Sequence, residues 1–149
     1  RIRLHAIGNL DALPAKARRQ LDATREATAG NERMVLTLAL SYGSRQEILG
    51  AVQNLARRSA NGELQPEAIT EADIAQALWT HDLPDPELVI RTSGEQRISN
   101  FLLWQISYAE FVFLPVLWPD FSKEDLVEAL EQYAGRERRL GKTSEQLTA

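Results

Sequence analysis

The chain has 149 residues, 44% hydrophobic and 26% charged, with a formal net charge of −4 and no cysteine. These values fit a soluble globular protein with room for a real core. They exclude a general nucleic-acid binder, a disulfide framework and a thiolate metal site.

No apolar run approaches the ~18 residues of a spanning helix and no secretory leader is visible, so a cytoplasmic protein is the expectation. The chain opens inside the alternation Arg1-Ile-Arg-Leu-His-Ala-Ile-Gly8. That predicts a strand over 2–7 and a domain incomplete at its N-terminus. Gly8-Asn9 turns the chain, and residues 14–28 read as a helix with Ala17, Leu21 and Thr24 on one side, ended by Gly30-Asn31. Met34 to Leu40 is a near-continuous apolar run, predicting a strand buried on both faces. After Tyr42-Gly43, Ser44-Arg-Gln-Glu47 has the capping-box pattern and opens a helix with Ile48, Val52, Leu55 and Ser59 in line. Thr70-Glu-Ala-Asp73 repeats the cap for a short helix to Trp79. Pro84-Asp85-Pro86 forces a turn before a strand at 87–91. A helix is predicted from about Ser99 to Tyr108, with Ser99 or Asn100 as its cap. A short strand follows over Phe111–Leu114, then an apolar loop over Leu117–Phe121. Ser122-Lys-Glu-Asp125 caps a last helix with Leu126, Leu130 and Tyr133 on one face. Arg136, Arg138 and Arg139 at its end complement the helix dipole, and the polar residues 141–149 read as a frayed tail. Strands and helices alternate without a hairpin signal. That predicts an α/β fold with a parallel sheet flanked by helices in a single domain, binding ligands beyond the carboxyl ends of its strands.

The richest segment for chemistry is Arg91-Thr-Ser-Gly-Glu-Gln-Arg97-Ile-Ser99-Asn-Phe-Leu-Leu-Trp-Gln105. A buried strand running into a basic, Gly-containing loop and then a helix N-terminus makes an anion site. Two guanidiniums add bidentate donors shaped for phosphate oxygens, and two arginines with a hydroxyl suggest a diphosphate. The plain alternative is that Arg91 and Arg97 are surface ion-pair partners of Glu95 or Glu87. Trp104, Tyr108, Phe111, Phe113 and Trp118 invite a ligand-binding reading, but aromatics at such spacings more often form core or a dimer interface. The run 34–40 and helix 48–55 could line an apolar tunnel or ordinary core. His5 and His81 have no evident partners and are assigned no role.

The segment Arg91–Gln105 resembles the C-terminal signature of the cis-prenyltransferase family, most of all its bacterial undecaprenyl diphosphate synthases. Leu38-Ala-Leu-Ser-Tyr-Gly-Ser-Arg45-Gln-Glu-Ile48 resembles the family's Tyr-Gly-Gly-Arg segment, with Ser41 where many members carry Asn and Ser44 in place of the second Gly. Ser107-Tyr-Ala-Glu110-Phe111 and Leu117-Trp-Pro-Asp-Phe121 resemble the stretch after the signature, and Arg136-Glu-Arg-Arg139-Leu-Gly141 its Arg-x-Gly element. Gln96 holds a position that is His in some members and Gln in others. The first signature, His followed by Asp-Gly-Asn-Gly-Arg-Trp, has no counterpart in these residues, nor does the Ser-x-Glu-Asn-Trp segment. The chain is thus expected to be the C-terminal part of the enzyme, with no catalytic residue of its own, because the family's catalytic Asp lies in the first signature.

The resemblance implies that Arg91, Arg97 and Ser99 bind the diphosphate of isopentenyl diphosphate. Arg139 and Gly141 would reach a partner's diphosphate site, and Glu110 would help bind Mg²⁺. Glu95 would orient an arginine, and Tyr42, Gly43 and Arg45 would shape the pocket loop. The bland counterparts are an exposed glutamate for Glu110, a dipole-complementing helix end for Arg139, and a structural loop for Tyr42, Gly43 and Arg45. If residues 99–110 were all helical, Ser99 and Glu110 would lie about 16 Å apart. Glu110 would then serve the neighbouring subunit of a homodimer. The implied reaction condenses isopentenyl diphosphate with an allylic diphosphate such as farnesyl diphosphate. Pyrophosphate leaves, a proton is lost and a new cis double bond forms. The product would be a long cis-polyprenyl diphosphate for cell-wall glycan assembly, and a lipid product implies transient work near the membrane. One rival is a non-catalytic partner subunit of a heteromeric cis-prenyltransferase, which tends to keep the Arg-x-Gly element and lose the diphosphate signature. Another is a phosphate-binding α/β module of a different kind, but no P-loop or dinucleotide fingerprint is present.

Overall fold

A computed structural model of the protein describes residues 1–136. Arg139 and Gly141 lie outside them. The chain divides into two compact units, Arg1–Pro84 and the part from Asp85 onward, so the Pro-Asp-Pro turn is a unit boundary as well as a strand start.

The first unit is a βαβ arrangement extended by two helices. Strand β1 (Ile2–Ile7) and strand β2 (Met34–Ala39) pair in parallel, Ile2 opposite Met34 and Ile7 opposite Ala39. Helix α1 (Ala15–Thr28) connects them and packs against β1, burying Leu21. Gly8 closes β1 at φ 113°, and a Cβ there would lie 2.0 Å from the Leu40 carbonyl oxygen, so only glycine fits. Ser41 at φ 47° occupies the left-handed region where asparagine is at ease, which is the residue many members of the resembled family carry there. The apolar run does form β2, but it is not buried on both faces: Met34 is 49% and Leu36 45% exposed. Burial needs layers as well as apolar residues, and among the described residues β2 has a strand neighbour on one side only.

Helix α2 (Ser44–Ala60) corrects two expectations. Its N-cap is Gly43, which has no side chain to cap with, so Ser44-to-Glu47 is not a capping box. Its buried seam is Ser44, Glu47, Ala51 and Leu55, whereas Val52 faces solvent. Glu47 is 2% exposed and acts as a clasp. Its Oε2 accepts from the Tyr42 hydroxyl at 2.5 Å and its Oε1 from the Trp79 backbone N–H at 2.8 Å. The Tyr42 and Trp79 rings meet edge to face, 5.8 Å apart. Helix α3 (Glu71–Ala77) does carry the expected capping box, with Thr70 and Asp73 bonded reciprocally, though it ends two residues before Trp79.

The second unit is built on β3 (Leu88–Arg91) and β4 (Glu110–Phe113), again parallel, with Leu88 opposite Glu110 and Arg91 opposite Phe113. Helix α4 (Lys123–Ala134) packs on β4. Val112, Leu114 and Ala129 are its buried centre, joined by Leu88, Ile90, Val116 and Phe121. The buried helix residue is the small Ala129, at 0% exposure; Leu126 and Leu130 remain exposed, contrary to the expected face. Aromatic pairs stack at Phe111–Phe113 and Trp118–Phe121, and Tyr108 is exposed.

The largest departure is at residues 99–108, which form successive turns and not a helix. Ser99, Asn100 and Leu102 have φ of 54°, 60° and 47°. Left-handed backbone at three positions out of four cannot propagate an α-helix. Short helix-type closures remain, from the Ile106 N–H to the Leu102 carbonyl and from the Ala109 N–H to the Ile106 carbonyl, both at 3.0 Å. The helix N-terminus invoked for anion binding is therefore absent.

Two stability predictions follow from these contacts, both measured by denaturant unfolding of the intact protein. Glu47→Ala leaves the Tyr42 hydroxyl and the Trp79 N–H without their carboxylate and is expected to cost about 3 kcal/mol; a cost below about 0.5 kcal/mol would show the clasp to be idle. At α4, the Ser122 hydroxyl and then its backbone N–H, both bonded to the carboxylate, hold Asp125 below the ordinary carboxylate pKa. A depressed folded-state pKa stabilises above the unfolded value of about 3.9 and the benefit disappears as pH falls through the folded value. Ser122→Ala should therefore lower stability at neutral pH, with the difference from wild type shrinking as pH is taken below about 4.

Candidate diphosphate site

Strand β3 delivers Arg91 at its carboxyl end, and the following loop folds back onto the segment after β4. The Leu114 N–H bonds the Arg91 carbonyl at 2.8 Å, the Ser93 N–H bonds the Val116 carbonyl at 2.7 Å, and the Gly94 N–H bonds the Leu114 carbonyl at 2.9 Å. Ser93 and Gly94 turn with φ of 67° and 65°. This fixed turn sends the chain back toward Arg97.

Arg91 and Arg97 line one cavity of about 210 Å³. Its remaining wall is apolar: Val89 and Ile90 from β3, Phe111 from β4, and Ile98, Phe101 and Ile106 from the turns. The Nε of Arg91 is buried with no hydrogen-bond partner. An unsatisfied donor on a permanent cation, inside a mostly apolar concavity, is costly unless a ligand oxygen meets it. Arg97 is more open, its side chain 66% exposed, and it is ion-paired with Glu95. Glu95 thus touches Arg97, as one of its two readings had it; the same contact is what the surface-pair alternative would give. The two guanidiniums nevertheless share a concavity. Ser99 lies on the loop between two lining residues but does not itself line the cavity.

Glu110 is at the other end of the strand pair. It stands opposite Leu88, three positions before the Arg91–Phe113 pair, a separation of about 10 Å along the strands. The roughly 16 Å expected between Ser99 and Glu110 rested on a helix that does not form; it is strand register that separates Glu110 from Arg91. The Glu110 Oε2 accepts from Arg136 Nη1 at 2.9 Å, a contact that sequence reading missed because it took Arg136 as a dipole partner. Among the described residues, no group of three or more His, Cys, Asp or Glu side chains could hold a metal. A magnesium ion at Glu110 would take one carboxylate oxygen from this chain's described part, which suits an ion commonly held by one or two carboxylates and phosphate oxygens. Tyr42, Gly43 and Arg45 belong to the first unit, where Tyr42 holds Glu47 and Gly43 starts α2.

Residues 1–141 match the prenyltransferase family model that describes undecaprenyl diphosphate synthases. An isoprenyl transferase of Geobacter sulfurreducens is 50% identical over 146 residues, covering 98% of this chain and 59% of its own length. A ditrans,polycis-undecaprenyl-diphosphate synthase of Vibrio vulnificus, described as (2E,6E)-farnesyl-diphosphate specific, is 47% identical over 148 residues, 99% of this chain and 59% of its own. The crystal structure of lavandulyl diphosphate synthase from Lavandula x intermedia, in complex with dimethylallyl diphosphate, is similar at a TM-score of 0.92 with 39% identity, over 95% of this chain and 61% of that one. A probable undecaprenyl diphosphate synthase from Campylobacter jejuni gives 0.78 with 37% identity, over 95% and 64%. The chain spans 59% of the length of the two sequence relatives. With its α/β architecture and its matched length, the chain belongs to the undecaprenyl diphosphate synthase family of prenyltransferases.

Proposed function

We propose that this chain supplies the isopentenyl diphosphate subsite of a cis-prenyl chain-elongating transferase, acting on an allylic diphosphate such as farnesyl diphosphate. The observation that carries this is the single cavity shared by Arg91 and Arg97, with an unpartnered Arg91 Nε and apolar walls. A short branched hydrocarbon carrying a diphosphate has matching halves. The guanidiniums would hold the diphosphate and the aliphatic wall the five-carbon body, so their contribution is positioning. Glu95 would act as the resting counter-ion of Arg97, exchanged for ligand oxygens. Ser99 would approach the diphosphate from the adjoining loop, and Arg139 and Gly141 would serve a partner's site. Magnesium, held in part by Glu110, would offset negative charge on the departing pyrophosphate.

The separation of Glu110 from the cradle of its own strand pair supports a homodimer in which each copy's carboxylate serves the other's substrate. The lipid product supports work near a membrane from the cytoplasm; no helix among the described residues is long and apolar enough to cross one. The whole Arg91–Gln105 signature favours a catalytic subunit over a non-catalytic partner.

In the intact protein, Arg97→Ala should weaken isopentenyl diphosphate binding by about 2–4 kcal/mol, roughly 30- to 900-fold, as read by calorimetric titration. An unchanged affinity would remove Arg97 from the site. The 149 residues contain no Asp-Gly-Asn segment, so this chain assayed alone should show no condensation of isopentenyl and farnesyl diphosphates. Steady turnover would refute the assignment of catalysis to that segment.

A further inference from the structure

We infer that Arg136 is a positioning residue for Glu110, gripping one carboxylate oxygen so that the other stays available to a divalent cation; this rests on the magnesium reading of Glu110 given above. The grip is a charge-assisted bond, Nη1 to Oε2 at 2.9 Å, and both side chains are about two-thirds buried, at 34% and 29% exposure. Such a pair is screened less than a fully exposed one and holds its geometry better.

Both ends stand on fixed backbone. Glu110 opens β4, and its N–H bonds the Glu87 carbonyl at 2.9 Å. Arg136 follows α4, its N–H bonding the Tyr133 carbonyl at 3.1 Å, and α4 is seated by Ala129 against Val112 and Leu114. The Tyr133 hydroxyl reaches Glu87 at 3.5 Å beside this pair. One oxygen of Glu110 is engaged and, among the described residues, Oε1 has no partner. Carboxylates that bind metals are commonly held this way by a neighbouring donor, and loss of such a donor typically lowers metal affinity 10- to 100-fold. Arg136 lies at the opposite end of the strand pair from the cradle, so it is not a third arginine for the same diphosphate.

The test is Mn²⁺ binding to the intact protein saturated with isopentenyl diphosphate, read from the electron paramagnetic resonance of free Mn²⁺. Arg136→Ala should weaken binding about tenfold or more. Arg136→Lys, which keeps charge and a donor, should restore most of it, and Arg136→Gln should fall below Lys. A merely structural role predicts no such order, and Lys against Gln decides the matter even where the alanine variant folds poorly. Neutral variants that bind Mn²⁺ as tightly as wild type or tighter would overturn the inference, because the guanidinium would then be idle or a competitor of the cation. Glu110→Gln separates the two levels. If it weakens Mn²⁺ binding while the Arg136 variants do not, positioning fails and the magnesium reading stands; if Glu110→Gln has no effect, the magnesium reading itself fails.

Discussion

Parallel pairing gathers the carboxyl ends of two strands on one side and their amino ends on the other. In the second unit that geometry sorts the chemistry. Arg91 leaves β3 at the carboxyl end, where the loop carrying Arg97 is tied down by bonds to Leu114 and Val116. Glu110 enters β4 at the amino end, where α4 delivers Arg136. The register is held by the small core of Val112, Leu114 and Ala129. A slip of one residue would turn Val112 outward and carry Phe111 and Phe113 into the core, so the packing that stabilises this unit also fixes which groups stand at each end of the strand pair.

The cradle follows a logic of incomplete satisfaction. Arg91 cannot shed its charge, yet its Nε is buried without a partner beside valine, isoleucine and phenylalanine. A fold that needed only stability would place a carboxylate there or replace the arginine. Arg97 is the contrasting case, exposed and already paired with Glu95. One cation waits inside the wall and the other sits at the rim with a counter-ion it can exchange. A diphosphate, with more oxygens and more charge than the single carboxylate of Glu95, would suit both under the proposed function.

Much of this was legible from composition and punctuation. Strong caps at Thr70 and Ser122 announced α3 and α4, the alternation over 2–7 gave β1, and Pro84-Asp-Pro marked both a strand start and a unit boundary. A basic loop after an apolar strand marked Arg91 and Arg97 as neighbours. What failed did so for identifiable reasons. The stretch 99–108 has helix-like composition, but left-handed backbone at Ser99, Asn100 and Leu102 leaves no trace in a hydrophobic pattern. The inner faces of α2 and α4 were misjudged in part: Leu55 is buried as expected, but small residues, Ser44, Ala51 and Ala129, occupy other close contacts while Val52, Leu126 and Leu130 face out. Glu47 fitted a capping box by spacing, yet tertiary contact with Tyr42 and Trp79 claims it. The Arg136–Glu110 pair joins residues far apart in sequence, and no local rule can foresee it.

The positions of Glu110 and Arg91 also constrain how the proposed function can handle charge. A carboxylate that assists a metal on a diphosphate must reach phosphate oxygens, and a carboxylate beside the two guanidiniums would instead compete with those oxygens for the same donors. Separating Glu110 from Arg91 along the strand pair adds no second competitor to Glu95, which already pairs with Arg97. Each group keeps its own environment: Arg91 in an apolar concavity that magnifies its attraction for an anion, and a glutamate held from one side by Arg136 with an oxygen left over. Under the proposed function, the arrangement is coherent only if a cation at Glu110 and a diphosphate at Arg91 approach from different directions. In the proposed homodimer, a second copy of the chain would meet that requirement.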